Sequence, residues 1–127
     1  MNDIDAAEEW LDSWVAQANA QAQSSVELSR RVAALTASAE GRDGAIRVTV
    51  GSNGQVERLD LDERVPELSG PRLAQEIMSV MRRAQATLAG RVADEVRATV
   101  GADTETGRAV IHSYGARFAP PRDEEDR

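Results

Sequence analysis

Gly44-Ala45-Ile46-Arg47-Val48-Thr49-Val50-Gly51-Ser52-Asn53-Gly54-Gln55-Val56-Glu57-Arg58-Leu59-Asp60-Leu61-Asp62 is the stretch on which the fold turns. Ile46, Val48 and Val50 alternate with Arg47 and Thr49. Leu59 and Leu61 alternate with Arg58, Asp60 and Asp62. A period of two places one apolar face against a core and one polar face in water. Asn53-Gly54 supplies the positive-φ residues of a tight turn, so the two runs read as a β-hairpin. Val56 falls on the wrong parity, which predicts a bulge near Gln55–Glu57 or a late start to the second strand.

Upstream, residues 5–30 read as a helix. Ile4, Ala7, Leu11, Trp14, Ala18, Gln21, Ser25 and Leu28 recur at alternating spacings of three and four. The stripe weakens after Ala18, which predicts a helix packed on its own protein rather than a long independent coiled coil. Trp10 and Trp14 stand one turn apart on one side. They read as core or dimer-interface packing, or as an aromatic anchor for a partner protein. Residues 31–40 fit helix by alanine content and strand by alternation. A strand over about 32–40 is expected, because a third strand would stabilise the hairpin. Gly41-Arg42-Asp43-Gly44 is then its turn.

Downstream, Glu63 to Gly70 is a loop containing Pro66. Ser69 or Gly70 caps a second helix, with Pro71 at its first turn. Its apolar stripe is Leu73, Ile77, Val80, Met81, Ala84, Leu88, Val92, Val96 and Val100. Gly90 is a candidate bend and Gly101 a terminator. The length predicts that part of this helix projects or packs on another subunit. Arg72, Arg82 and Arg83 make its polar face the most concentrated cationic patch in the chain. The domain is expected to span residues 1–101, with residues 102–127 a flexible acidic tail. Within the tail, Val110, Ile111, Tyr114 and Phe118 form an apolar island around His112. It reads equally as a docked segment or a short linear interaction motif. The last nine residues are expected to be disordered.

The resulting class is α+β: an N-terminal helix, a small antiparallel three-stranded sheet and a long C-terminal helix. Aromatic residues make up only 3% of the chain, and much of its apolar content is alanine. Such a core buries little area, so a two-fold homodimer is expected. No run is long and apolar enough for a membrane span, and no signal peptide is expected. With no cysteine, disulfides and thiolate metal sites are excluded, and a reducing cytoplasm is compatible.

The net charge is −7 and unevenly spread. Residues 1–29 hold six acids and no arginine, residues 30–100 eleven arginines against ten acids, and residues 101–127 four arginines against six acids. Every cation is arginine. That fits either the coding bias of a GC-rich genome or phosphate recognition by the guanidinium fork. Asp60, Asp62 and Glu63 read as a solvated face rather than a metal site, and His112 has no companion ligand or base. No catalytic residue, metal site or cofactor is expected, and the chain reads as a non-enzyme.

The order of helix, small strand, glycine-punctuated hairpin, loop and long helix resembles the YbaB/EbfC nucleoid-associated family. The resemblance is carried by Asp43 to Val50, Gly54 and Val56 to Asp62. Leu73-Ala74-Gln75-Glu76-Ile77 and Arg83-Ala84-Gln85-Ala86 add to it. It covers roughly residues 5–100. One departure is Glu63, where the pattern expects proline after the strand's last Asp. The resemblance implies a homodimer with helices flanking a shared sheet. It implies binding to DNA in the cytoplasmic nucleoid with little sequence preference, and no catalytic residues. Arg72, Arg82 and Arg83 are the first candidates for phosphate contact, and Arg47 and Arg58 the second. Binding then requires these arginines to be segregated from the acidic first helix. The alternative from a different class is an acidic protein-interaction adaptor on the same fold, such as a secretion-system accessory factor, that binds no DNA. In that reading Trp10, Trp14 and the tail make the contacts.

Overall fold

The computed structural model describes residues 3–119. Helix α1 spans Asp3–Ala33, followed by strands β1 (Ala37–Gly41), β2 (Ile46–Val50) and β3 (Val56–Leu61). A 3₁₀ turn at Val65–Glu67 leads to helix α2 (Gly70–Ala98), and helix α3 (Glu105–Arg117) follows. The architecture is α+β, and the sheet is an antiparallel meander in the order β1-β2-β3.

The first strand lies later than its alternation implies. The helix runs through Ala33, and the strand begins only at Ala37. Alanine favours helix, and Leu28 and Val32 pack into the core from the helical conformation. Long-range packing therefore outweighs the alternation of residues 35–40.

The hairpin explains the odd parity of Val56. Thr49 pairs with Arg58 and Val50 pairs with Val56, so Glu57 is the extra residue of a bulge. Gly54 closes the turn at φ +81°, its amide donating to the Gly51 carbonyl at 2.9 Å. The β1–β2 turn is less usual. Arg42 and Asp43 both adopt positive φ, 54° and 56°, before Gly44 at 89°. Two central residues of that hand make a turn matched to the twist of the strands, at some steric cost for side chains other than glycine.

Ile46, Val48 and Val50 of β2 are fully buried beneath α2. On α2 the buried residues are Val80, Ala84, Leu88, Val92 and Val96, each four apart. Four residues advance a helix by 400°, so this row rotates by about 40° per step. Val80 faces Gly41 of β1, whereas Val96 faces Gly107 of α3. One helix therefore roofs the sheet at its start and holds α3 at its end.

Ser69 caps α2 by accepting from the Arg72 amide at 3.4 Å, and Pro71 occupies the first turn. The helix runs uninterrupted through Gly90. It stops where the amides of Thr99 and Gly101 both donate to the Val96 carbonyl, with Gly101 at φ +89°.

α3 lies inside the stretch expected to be a tail after residue 101. The Thr104 hydroxyl caps it by accepting from the Gly107 amide at 3.0 Å. Val110, Ile111, Tyr114 and Phe118 pack against the core. The apolar island is thus a docked helix. Residues 120–127, which include the acidic end, lie outside the described residues. No helix among the described residues is long and apolar enough to cross a membrane.

Candidate nucleic-acid interface

The outer face of the sheet is set by register. Ser38, Thr49 and Arg58 form one row across the three strands, and Glu40, Arg47 and Asp60 form the next. The Ser38 and Thr49 hydroxyls are 2.8 Å apart. Arg47 reaches Glu40 across the strands at 3.5 Å. Arg58 reaches Asp60 on its own strand at 2.9 Å, rather than Asp60 taking the cross-strand Arg47. Each arginine of this face has a carboxylate beside it, so the face is electrically balanced. These pairs are exposed, and such pairs contribute only about 0–1 kcal/mol.

Beyond this face, Asp62 is held by Arg64, at 2.7 Å to Nη2, while Arg64 also donates to the Asp43 carbonyl at 3.1 Å. The Arg64 guanidinium holds the Asp62 carboxyl below its ordinary range. This clasp closes the end of the β2–β3 ladder and buttresses the strained β1–β2 turn. Asp60 and Asp62 are thus committed to arginines, and no cluster of potential metal ligands occurs among the described residues.

The arginines of α2 stand differently. Arg72, Arg82 and Arg83 are exposed, and among the described residues none is ion-paired. They do not form one cluster. Adjacent helical residues diverge by 100°, so Arg82 and Arg83 leave the helix on different flanks. Arg83 lies over the end of β1, its guanidinium 3.3 Å from where a Cβ on Gly41 would stand. Arg82 lines a shallow depression with Ala74, Gln75 and Met78 on the other side. Arg72 and Arg83 are eleven residues apart, which brings them within about 20° of each other and about 16 Å along the axis.

Arg91 belongs with this flank, although the sequence pattern did not single it out. It donates to the Thr36 carbonyl at 2.7 Å and, with Arg47, borders a groove along β1. No local spacing marks it: eight residues on from Arg83 leave it about 80° round the helix, and its contact with Thr36 is what places it over β1. The β1 edge therefore carries Arg83, Arg91 and Arg47, and Arg72 extends the line toward the start of α2.

The acidic residues gather elsewhere. Glu27 accepts from both Arg30 and Arg31, and these two guanidinium groups hold its carboxyl down at about 2. Arg31 also reaches Glu95 at 3.4 Å, tying α1 to the last third of α2. Residues 4–23 of α1 are exposed along their whole length. Trp10 and Trp14 keep 65% and 57% of their surface in water, so neither is packed within this chain. The acidic half of α1 thus projects past the body, away from the arginines at the start of α2.

The available groups are guanidinium cations on convex faces, shallow grooves and exposed apolar side chains. Guanidinium forks of this kind suit phosphate oxygens. No single curated protein matches the chain. The model of the YbaB/EbfC DNA-binding family matches residues 8–103, covering α1 from Glu8 onward, the whole sheet and α2. The chain, with its glycine-punctuated hairpin and arginine-bearing α2, therefore belongs to the YbaB/EbfC DNA-binding family.

Proposed function

We propose that this protein is a nucleoid-associated, cytoplasmic homodimer that binds duplex DNA with little sequence preference. The observation that carries the reading is the set of unpaired arginines on α2. Arg72, Arg82 and Arg83 offer guanidinium forks to phosphate without first releasing a carboxylate. Arg47 and Arg58 are secondary contacts, since each must exchange an acidic partner. Phosphate contacts fix a protein on the duplex but read no sequence, which accounts for low specificity.

Dimerisation has its own support. Leu59 and Leu61 pair with Val48 and Ile46, and so share the apolar face of the sheet. They nonetheless remain 44% and 43% exposed, because α2 lies over β1 and β2 and β3 extends beyond it. Val56 and Met78 are exposed as well. A second copy covering this apolar row would complete a thin core and double the arginine count.

The test is fluorescence anisotropy of a short labelled duplex at low and moderate salt. Wild type should bind, more weakly as salt rises, and Arg82→Glu/Arg83→Glu should bind far more weakly at both salts. Absence of wild-type binding at low salt, or an unaffected double variant, would remove the proposal.

A further inference from the structure

The projecting half of α1 is the least explained surface of the molecule. Residues 3–12 carry five carboxylates and no cation. Asp5, Glu8, Glu9 and Asp12 are exposed and, among the described residues, make no ion pair. The same turns expose Ile4, Trp10, Leu11, Trp14 and Val15. A helix turns 100° per residue, which places these five side chains within an arc of about 140°. Glu8, Asp12, Asp5 and Glu9 follow directly beyond Val15, forming a continuous acidic border along one edge. The end of α2, at Ala98 and Thr99, comes opposite Ala20–Glu27, so the arm beyond lies past the body of its own chain.

Three occupants compete for this face, and charge decides among them. Duplex DNA would meet the exposed carboxylates of Asp5, Glu8, Glu9 and Asp12 and be repelled. A second copy of the arm would bring five more carboxylates and no cation, since residues 1–29 contain no basic side chain. A helix with an apolar row flanked by lysines or arginines would satisfy both features, burying the tryptophans and neutralising the acidic border. Tryptophans ringed by polar groups are the usual anchors of such contacts. We infer that the arm of α1 is a docking surface for a basic amphipathic helix of another protein, with Trp10 and Trp14 as anchors and Glu8 and Asp12 as the charged edge. This site is separate from the arginines of α2 and stands whether or not those bind DNA.

The chain has only two tryptophans, and both are on the arm, so their emission reports this surface alone. The probe is a synthetic helical peptide with leucines at i, i+3 and i+4 spacing and lysines elsewhere. Its control has glutamate in place of lysine. Added to the full chain, the lysine peptide should give a saturable blue shift that weakens with salt, and the glutamate peptide none. By calorimetry, Glu8→Gln/Glu9→Gln/Asp12→Asn should bind the lysine peptide about tenfold or more weaker, and Trp10→Ala/Trp14→Ala likewise. Circular dichroism verifies that both variants keep their helix. The inference is overturned by no saturable shift, by an equal response to the glutamate peptide, or by undiminished binding in either folded variant. A shift produced by raising the concentration of the chain alone would assign the face to a second copy. A shift produced by duplex DNA would assign it to nucleic acid. Either result also overturns the inference.

Discussion

Tyr114 donates its hydroxyl to the backbone carbonyl of Ser52 at 2.8 Å, joining α3 to the tip of the β2–β3 hairpin across sixty-two positions of sequence. Arg117 reinforces the junction. It donates to the Asn53 carbonyl at 3.2 Å, and its guanidinium lies 4.7 Å from the centre of the Phe118 ring. Gln85 of α2 donates to the Gly54 carbonyl at 2.9 Å from beneath. The turn is therefore held from two helices. Tyr114→Phe should lower stability by about 0.5–1.5 kcal/mol, the usual net worth of one such bond. Urea unfolding measures it, and hydrogen exchange should quicken at residues 51–54 first.

Gly54 sits under the Phe118 ring at φ +81°, where an added Cβ would stand 2.2 Å from a ring atom. Gly54→Ala meets both a left-handed backbone and that ring. It should cost about 1–3 kcal/mol. Adding Phe118→Ala removes the clash but leaves the backbone penalty. A double variant no more stable than expected from adding the two single losses would show that ring and turn are uncoupled.

Two glycines should respond in opposite directions. Gly90 has open space around its missing Cβ and lies inside α2, so Gly90→Ala should stabilise by about 0.5–1 kcal/mol. Gly107 has none, since its Cβ would stand 2.0 Å from the Gly101 carbonyl oxygen. Backbone cannot rotate aside as a side chain can. Gly107→Ala should cost about 2–3 kcal/mol, with loss of exchange protection in α3 as the accompanying sign. A neutral Gly107→Ala would contradict this packing.

Glu27 gives a pH dependence with a definite sign. Its carboxyl is held at about 2 by Arg30 and Arg31, below the ordinary value of 4.5. A depressed folded-state value contributes stability above pH 4.5 that is lost as pH falls from there toward 2. The group is exposed, so the effect is small and screened by salt. Thermal melts of Glu27→Gln should track wild type near pH 2 and fall slightly below it at pH 6 in low salt.

The flank carrying Arg83 and Arg91 separates the proposed DNA contact from a diffuse charge effect. If each arginine neutralises a phosphate, replacing it with glutamine should reduce the slope of log affinity against log salt by about 0.9 per site, or about 1.8 in a two-fold dimer. Arg108→Gln on α3 should leave the slope unchanged. Equal effects from all three would indicate only bulk electrostatics.

How legible this molecule is in its sequence varies with the range of the interaction involved. The hairpin, its bulge and the start of α2 depend on neighbours and on glycine, proline and serine chemistry, and each can be read locally. The boundary between α1 and β1 cannot, because alanine-rich residues 31–40 satisfy two periods and the choice falls to Leu28 and Val32 in the core. α3 is not legible locally as an element, because its anchors, Ser52 and Asn53, are remote in sequence. Arg82 and Arg83 look like one patch as neighbours in the chain, yet helical geometry sends them to different flanks. Arg91 carries no local mark, because its position over β1 is a tertiary fact. The exposure of Trp10 and Trp14 follows from where α2 ends, which no local pattern encodes.

The length of α1 has a mechanical side. No glycine or proline interrupts it, and its second half is fixed to α2 by Leu28 and by the Arg31–Glu95 pair. The free half is then a stiff lever of about 25 Å. A tilt of about 10° at the root would swing the tip by about 4 Å, close to the rise of a full helical turn. Small repacking between α1 and the end of α2 is thereby amplified into a displacement at Trp10, large enough to bring the arm into or out of reach of whatever it grips.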